Sequence, residues 1–275
     1  MEPMHAASRE ALDHTRSALE QTLAANPAGG ATGAKVGQEL FEVVGVLEDN
    51  RALRVSVADT AAPVEARQDL VRGVFGWKVD QATLDLLLAA VSQDWSTPRE
   101  LREGLVLLGR EALLRSADQQ GQLQTVEDEL FRLGRIVAGD PQFEQLLADR
   151  TADVGARRGL LAEVLYGKVT AVTEALASQA VARPSGMPAD DIMAVSVQAA
   201  ELRGRSVAVV TSAEPLTGQQ SDDLRARLAS LYGREIAIHN DVDQSLLGGV
   251  VVRVGDEIID GSVAGRLDAM RRSLR

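Results

Sequence analysis

The sequence predicts a mostly α-helical protein with a small C-terminal α+β domain: two tandem antiparallel helical bundles followed by a four-stranded α/β module. Three observations carry this. Apolar residues recur at spacings of three and four through most of the chain before Arg203, the helical period. After Arg203-Gly204 the pattern turns to alternation and β-branched runs, the strand period. The chain also matches itself at a displacement of 90 residues, with no gap.

The displacement gives seventeen identities, from Val36/Val126, Glu39/Glu129, Leu40/Leu130 and Phe41/Phe131 to Lys78/Lys168, Thr83/Thr173, Leu86/Leu176 and Pro98/Pro188. Composition alone gives roughly five over such a span. In the second repeat Leu123, Val126, Leu130, Leu133 and Val137 share one helix face, ending near Gly139-Asp140-Pro141. Phe143, Leu146 and Leu147 predict a short helix. Leu160, Leu161, Val164 and Leu165 predict another, broken at Tyr166-Gly167. Val169, Val172, Leu176 and Ala180 predict a further helix before the loop Pro184-Ser185-Gly186-Met187-Pro188. In the first repeat Leu40, Val43, Val44 and Leu47 take the places of Leu130, Leu133, Gly134 and Val137. The helix from about Arg99 to Asp118 closes the first repeat and opens the second. Asn26-Pro27-Ala28-Gly29-Gly30-Ala31-Thr32-Gly33 has no counterpart and reads as a flexible loop.

Beyond Gly204, Ser206 to Thr211 reads as a strand. Thr217 and Gln220 form a capping box for a helix reaching Tyr232, and Glu235 to Asn240 reads as a second strand. Gly248-Gly249 releases the backbone before Val250, Val251, Val252 and Val254, Gly255-Asp256 turns the chain, and Glu257 to Ile259 returns as a hairpin. Ser262 is placed to cap a last helix with Val263, Leu267, Met270 and Leu274 on one face. The expected domains are 1–98, an extra helical bundle; 99–203, a second bundle; and 204–275, the α+β module.

Composition narrows the function. The chain has 275 residues, 45% of them hydrophobic, a net charge of -11 and only 3% aromatics. An acidic, aromatic-poor surface suits neither a phosphate backbone nor an anionic bilayer, so no nucleic acid partner is expected and proteins are. The absence of cysteine removes disulfides and thiolate chemistry. Met1 to Arg9 lacks the apolar core of a secretory signal, and no run is long enough to span a bilayer, so no direct membrane insertion is expected. His5, His14 and His239 lie far apart with no carboxylates at ligand spacing, so no metal is expected. Asp190-Asp191, Asp222-Asp223 and Asp241 with Asp243 read as helix-start charges and solvated turns. Gly248-Gly249 lacks the following lysine and helix of a phosphate-cradling loop. No catalytic residue and no cofactor site emerges.

The ordered set Asp243, Ser245, Leu246, Gly248, Gly249, Arg253, Ile259, Asp260, Gly261 and Ser262 resembles the signature of the delta subunit of F-type ATP synthases, the family of the oligomycin-sensitivity-conferring protein. The resemblance covers roughly Leu105 to Arg275 and includes Ser212-Ala213-Glu214-Pro215-Leu216-Thr217. Ordinary members lack the first hundred or so residues; long forms resembling this one are those of high-GC Gram-positive bacteria. The resemblance implies a non-catalytic stator, or peripheral-stalk, subunit present once per complex at the cytoplasmic face of the plasma membrane. Its implied partners are the N-terminal helices of the alpha subunits and the C-terminal region of the b subunit. The family's alpha groove maps to about Leu105 to Leu114 and Val172 to Ala180, with Leu105, Leu108, Leu113, Val172 and Leu176 as liners. The equivalent groove in the first repeat would use Leu12, Leu19, Ala82 and Leu86. The competing reading is a free-standing helical adaptor unrelated to ATP synthesis; an enzyme is disfavoured for want of any catalytic constellation.

Overall fold

The computed structural model describes residues 4–25, 29–182, 184, 186–203, 206–232, 236–243, 246, 248–254 and 257–262. Among them, α1 (Ala6–Ala25), α2 (Gly29–Asp49), α3 (Arg51–Val57), α4 (Val64–Phe75), α5 (Gln81–Val91) and α6 (Pro98–Gln119) come first. Then follow α7 (Leu123–Gly139), α8 (Pro141–Ala148), α9 (Val154–Leu165), α10 (Ala171–Ala182) and α11 (Pro188–Leu202). The remaining elements are β1 (Ser206–Ser212), α12 (Gly218–Tyr232), β2 (Ile236–Val242), β3 (Val250–Val254) and β4 (Glu257–Asp260). The fold is therefore mostly α with a small C-terminal α+β part. The chain divides into two compact units, Met1–Val195 and Ser196–Arg275.

The 90-residue displacement is written into the element boundaries. α4 and α9 begin and end 90 residues apart, as do the starts of α5 and α10 and of α6 and α11. The chemistry of the boundaries repeats too. The side chain of Asn50 caps α3 by accepting from the Leu53 amide, and Asp140 caps α8 by accepting from Gln142 and Phe143. Asp59 takes the Ala61 amide as Asp149 takes that of Thr151.

One expectation is corrected at α2. Residues 29–33 are its first turn rather than a loop. Glycine is a poor helix former, but here a tertiary gain overrides propensity. A Cβ at Gly33 would lie 2.9 Å from the Ala112 carbonyl oxygen, and one at Gly37 would lie 2.7 Å from that of Gly109. On the facing helix, a Cβ at Gly109 would lie 2.7 Å from the Phe41 ring. The two backbones thus approach closely where the glycines carry no side chain, and Ser116 Oγ donates to the Gly30 carbonyl at 2.6 Å. The sequence pattern reads as breakers because each glycine's partner lies on a helix some 75 residues away in sequence.

Leu12, Leu19, Leu40, Leu86, Leu101, Leu105 and Leu108 belong to one buried cluster, so α6 completes the core of the first repeat. Trp95 closes its end, its indole N–H donating to the Ala90 carbonyl at 2.8 Å.

In the second unit the strands lie in the order β2-β1-β3-β4. β1 pairs with β2 in parallel and with β3 antiparallel, and β3 pairs antiparallel with β4. Ala208, Val210, Leu228, Ile236, Val252 and Val254 form its core, which places α12 over one face. The capping box predicted at Thr217 is present: Gln220 Oε1 accepts from the Thr217 amide and Thr217 Oγ1 from the Gln220 amide.

Candidate functional site

The C-terminal motif is a folded knot. Gly248 and Gly249 hold φ of 134° and 82°, outside the range open to other L residues. A Cβ on Gly249 would lie 2.5 Å from the Gly261 carbonyl oxygen and 2.8 Å from Ser262 Cα. The two halves of the motif therefore touch, although eleven residues separate Gly249 from Gly261. Asp260 pairs with Val251, the Gly261 amide donates to the Val250 carbonyl at 2.9 Å, and Asp260 Oδ1 accepts from the Ser262 amide at 2.9 Å. The Ser262 hydroxyl and amide hold the Asp260 carboxyl below the usual carboxylate range. At the motif's other end the Asp243 amide donates to the Ser212 carbonyl and Leu246 back to Asp243. Arg253 and Ile259 stand at least partly exposed on the hairpin. Ser245 and the helix predicted after Ser262 lie outside the described residues. Every described contact of this motif holds the hairpin's shape; none positions a reacting group.

The five candidate groove residues are all buried: Leu105, Leu108, Leu113 and Leu176 almost completely, and Val172 nearly so. They do not share one open surface. Leu105 and Leu108 point into the core of the first repeat. Leu113 packs on α2, its Cγ lying where a Cβ on Gly37 would need to be. Val172 and Leu176 are on α10, whose exposed or half-exposed positions are Ala171, Glu174, Ala175 and Ser178. In the first repeat Leu12, Leu19 and Leu86 are likewise buried, and Ala82 is partly so. The residues that the family resemblance maps to the groove thus face the chain's own core in this conformation.

Polar contacts that periodicity does not find organise each bundle. Glu39 Oε2 accepts from the Asp80 amide at 3.0 Å and from the Thr83 hydroxyl, tying α2 to the start of α5. Ninety residues on, Glu129 Oε2 accepts from the Thr170 amide at 2.9 Å and the Thr173 hydroxyl at 2.6 Å, tying α7 to α10. Each carboxylate sits where the helix N-terminus presents free amides. The guanidinium of buried Arg67 donates to the Gln93 carbonyl at 3.0 Å, just past α5, and that of buried Arg157 to the Val181 carbonyl at 2.9 Å on α10. Glu39/Glu129, Arg67/Arg157 and Thr83/Thr173 are all identities of the repeat. Their recurrence was visible in the sequence, but their partners were not.

Two further groups join helices in the first unit. Glu100, only 6% exposed, accepts from the His5 amide at 2.8 Å and the Ser8 hydroxyl at 3.0 Å, and pairs with the His5 ring. Burial pushes its carboxyl up, but the His5 amide and ring with the Ser8 and Thr97 hydroxyls more than offset this and hold it at about 2. Arg110 donates to Gln179 Oε1 at 2.6 Å, joining α6 to α10; burial lowers its pKa to about 10 against the pull of Asp191.

Among the described residues no group of three or more His, Asp or Glu side chains could hold a metal ion, and no helix is long and apolar enough to cross a membrane. The acid pairs have structural settings: Asp190 and Asp191 lie in the first turn of α11, and Asp222 pairs with Arg225 at 2.6 Å.

The chain thus carries a duplicated helical bundle in one unit and, in the other, a sheet hairpin whose close Gly249–Gly261 approach depends on glycine. The sequence profile of the ATP synthase delta (OSCP) subunit matches residues 111–274. The chain is 55% identical over 270 residues to ATP synthase subunit delta of Corynebacterium glutamicum (strain R), covering 98% of this chain and 99% of that one. It is 56% identical over 271 residues to the subunit of Corynebacterium efficiens, covering 98% of each, and 53% identical over 278 residues to that of Rhodococcus opacus (strain B4), covering 100% of each. A chain of the Toxoplasma gondii mitochondrial ATP synthase hexamer aligns with 60% of this chain and 94% of its own at 21% identity, with a TM-score of 0.38, a likeness too distant to bear on the site. The chain belongs to the ATP synthase delta (OSCP) subunit family. It is a non-catalytic stator subunit of the ATP synthase complex, and the family profile begins inside α6, leaving α1–α5 outside it.

Proposed function

We propose that this subunit ties the N-terminal helices of the alpha subunits to the C-terminal region of the b subunit, one copy per complex, at the cytoplasmic face of the plasma membrane. Rotation of the central shaft exerts torque on the catalytic head, and a static tie must hold the head against it. Tight non-covalent contact is sufficient for that role. In this reading residues 99–203 take the alpha helix along α6 and α10, and Leu105, Leu108, Leu113, Val172 and Leu176, buried in this conformation, line the groove only once the alpha helix displaces their present packing. Residues 204–275 take the b subunit, and residues 1–98 brace α6 through α2. The observation that carries the reading is the division of the chain into a helical unit and a sheet unit with separate cores, since a tie needs two ends.

The test is binding of the full chain to an alpha N-terminal peptide and to a soluble b C-terminal segment. Ala175→Arg places a long cation beside Leu176 on the half-exposed side of α10. It is expected to weaken the alpha peptide about tenfold or more, about 1.4 kcal/mol, and to leave the b segment unchanged. Removal of 204–275 is expected to abolish b binding alone. Retention of b binding by the truncated chain would overturn the assignment of the two ends. Deleting 1–98 is the poorer experiment, because it strips α6 of the core around Leu101, Leu105 and Leu108.

A further inference from the structure

The chain holds 26 arginines but only three lysines, Lys35, Lys78 and Lys168. All three act at one feature of the fold, the turn joining α4 to α5 and its duplicate joining α9 to α10. Lys78 and Lys168 are 90 residues apart, and each stands beside an exposed aromatic ring: Trp77 is 78% exposed and Tyr166 86%. These are two of only eight aromatic residues in the protein.

The two tips reach this arrangement by different backbones. The first reads Gly76-Trp77-Lys78-Val79 and the second Tyr166-Gly167-Lys168-Val169, so ring and glycine are exchanged. Gly76 continues the helical conformation, and a Cβ there would lie 2.5 Å from the Arg72 carbonyl oxygen. Gly167 instead adopts φ of 68°, where a side chain is strained. The backbone solution changed and the ring stayed outside, so the turn's own geometry does not account for the ring. Nor does the helix dipole account for lysine, since arginine serves a helix C-terminus equally well. A ring this exposed buries little area for the fold, and such rings anchor protein interfaces. Three charged groups at or beside these turns are engaged: Lys35 with Asp80 at 2.7 Å, Arg72 with Asp69 at 2.9 Å, and Glu129 with Thr170. Among the described residues Lys78, 4.9 Å from the Trp77 ring centroid, has no carboxylate partner and Lys168 makes no ion pair.

We propose that residues 76–80 and 166–170 are matched docking knobs for an acidic, amphipathic helical segment of a partner protein, its apolar side chain lying on the ring and its carboxylate on the ammonium. Because the knobs are duplicates, they take two copies of the same segment. This contact is separate from the docking along α6 and α10 and does not depend on it.

Zero-length carbodiimide coupling in the assembled ATP synthase, followed by peptide mapping, tests this, since it joins an amine only to a carboxylate it touches. The Lys35–Asp80 pair is an internal control, because that link must form if the chain is folded and the reagent active. The expected result is that Lys78 and Lys168 both couple to Asp or Glu of one partner sequence. Trp77→Ala and Tyr166→Ala should each reduce the link at its own tip at least fivefold while the control link persists. A control link with no partner link at either lysine overturns the proposal, as does coupling of the two lysines to unrelated sequences. Flotation of the full chain with vesicles of phosphatidylglycerol and phosphatidylcholine, lost on Lys78→Glu and Lys168→Glu, would assign the tips to lipid and overturn it equally.

Discussion

The first and second repeats share the Asn50/Asp140 cap, their carboxylate clasps and their buried arginines, yet they differ at α2 and its duplicate α7. In the first, α2 lies on α6 backbone to backbone through Gly33, Gly37 and Gly109. In the second, α7 has buried Glu127 at the position of Gly37 and carries no such glycine face on its first half. Duplication supplied two copies of a bundle, but joining them required one helix to serve both, and close approach is how α2 fits the helix it shares. The difference locates the closest helix approach among the described residues at α2 and α6, away from the contacts that the repeats have in common.

The largest effect expected is at that seam. Gly37→Ala puts a methyl against the Gly109 carbonyl and the Leu113 side chain, and should cost about 3 kcal/mol by overpacking, read as a fall in the urea midpoint at unchanged slope. Next come the shared arginines. Arg157→Met leaves the Val181 carbonyl without its charged donor and should cost about 2 kcal/mol, with Arg67→Met similar; a large inequality between them would show that the repeats are not energetic equivalents. Glu129→Gln should cost about 1.5 kcal/mol by weakening the hold on Thr170 and Thr173, again with Glu39→Gln as its twin.

Glu100 sharpens the comparison by pH. Its folded pKa, about 2, lies below the ordinary 4.5, so its contribution is fully present above about 4.5 and is lost as pH falls toward 2. The stability gap between the native chain and Glu100→Gln should be flat from pH 6 to 8 and shrink below about 4.5. The smallest effect has the opposite sign. Gly45, late in α2, has open space around its Cβ direction, so Gly45→Ala should stabilise by about 0.5–1 kcal/mol. Loss of stability there would mean that the whole of α2, and not only its first half, is packed without clearance.

Much of this was legible in the residues. The repeat, the helix shared at Pro98, the capping box at Thr217 and the Gly-Gly hairpin all follow from local spacing, and the structure carries each of them. The glycine run before Lys35 was misread because the benefit of a missing side chain lies on the facing helix, which no local pattern contains. The groove residues came from the family resemblance, and such a mapping cannot say whether an apolar side chain meets its own core or a partner. Leu105 and Leu113 meet the former. The exposed rings escaped position-by-position matching because Trp77 and Tyr166 are one residue out of register.

The most direct measurement is native-state hydrogen exchange across the full chain in rising denaturant. If α6 binds the repeats into one unit, amides of α2, α6 and α7 must merge into a single opening with one free energy and one denaturant slope. Opening of α1–α5 at lower denaturant, with α7–α10 still protected, would contradict the account and make the first repeat an independent appendage.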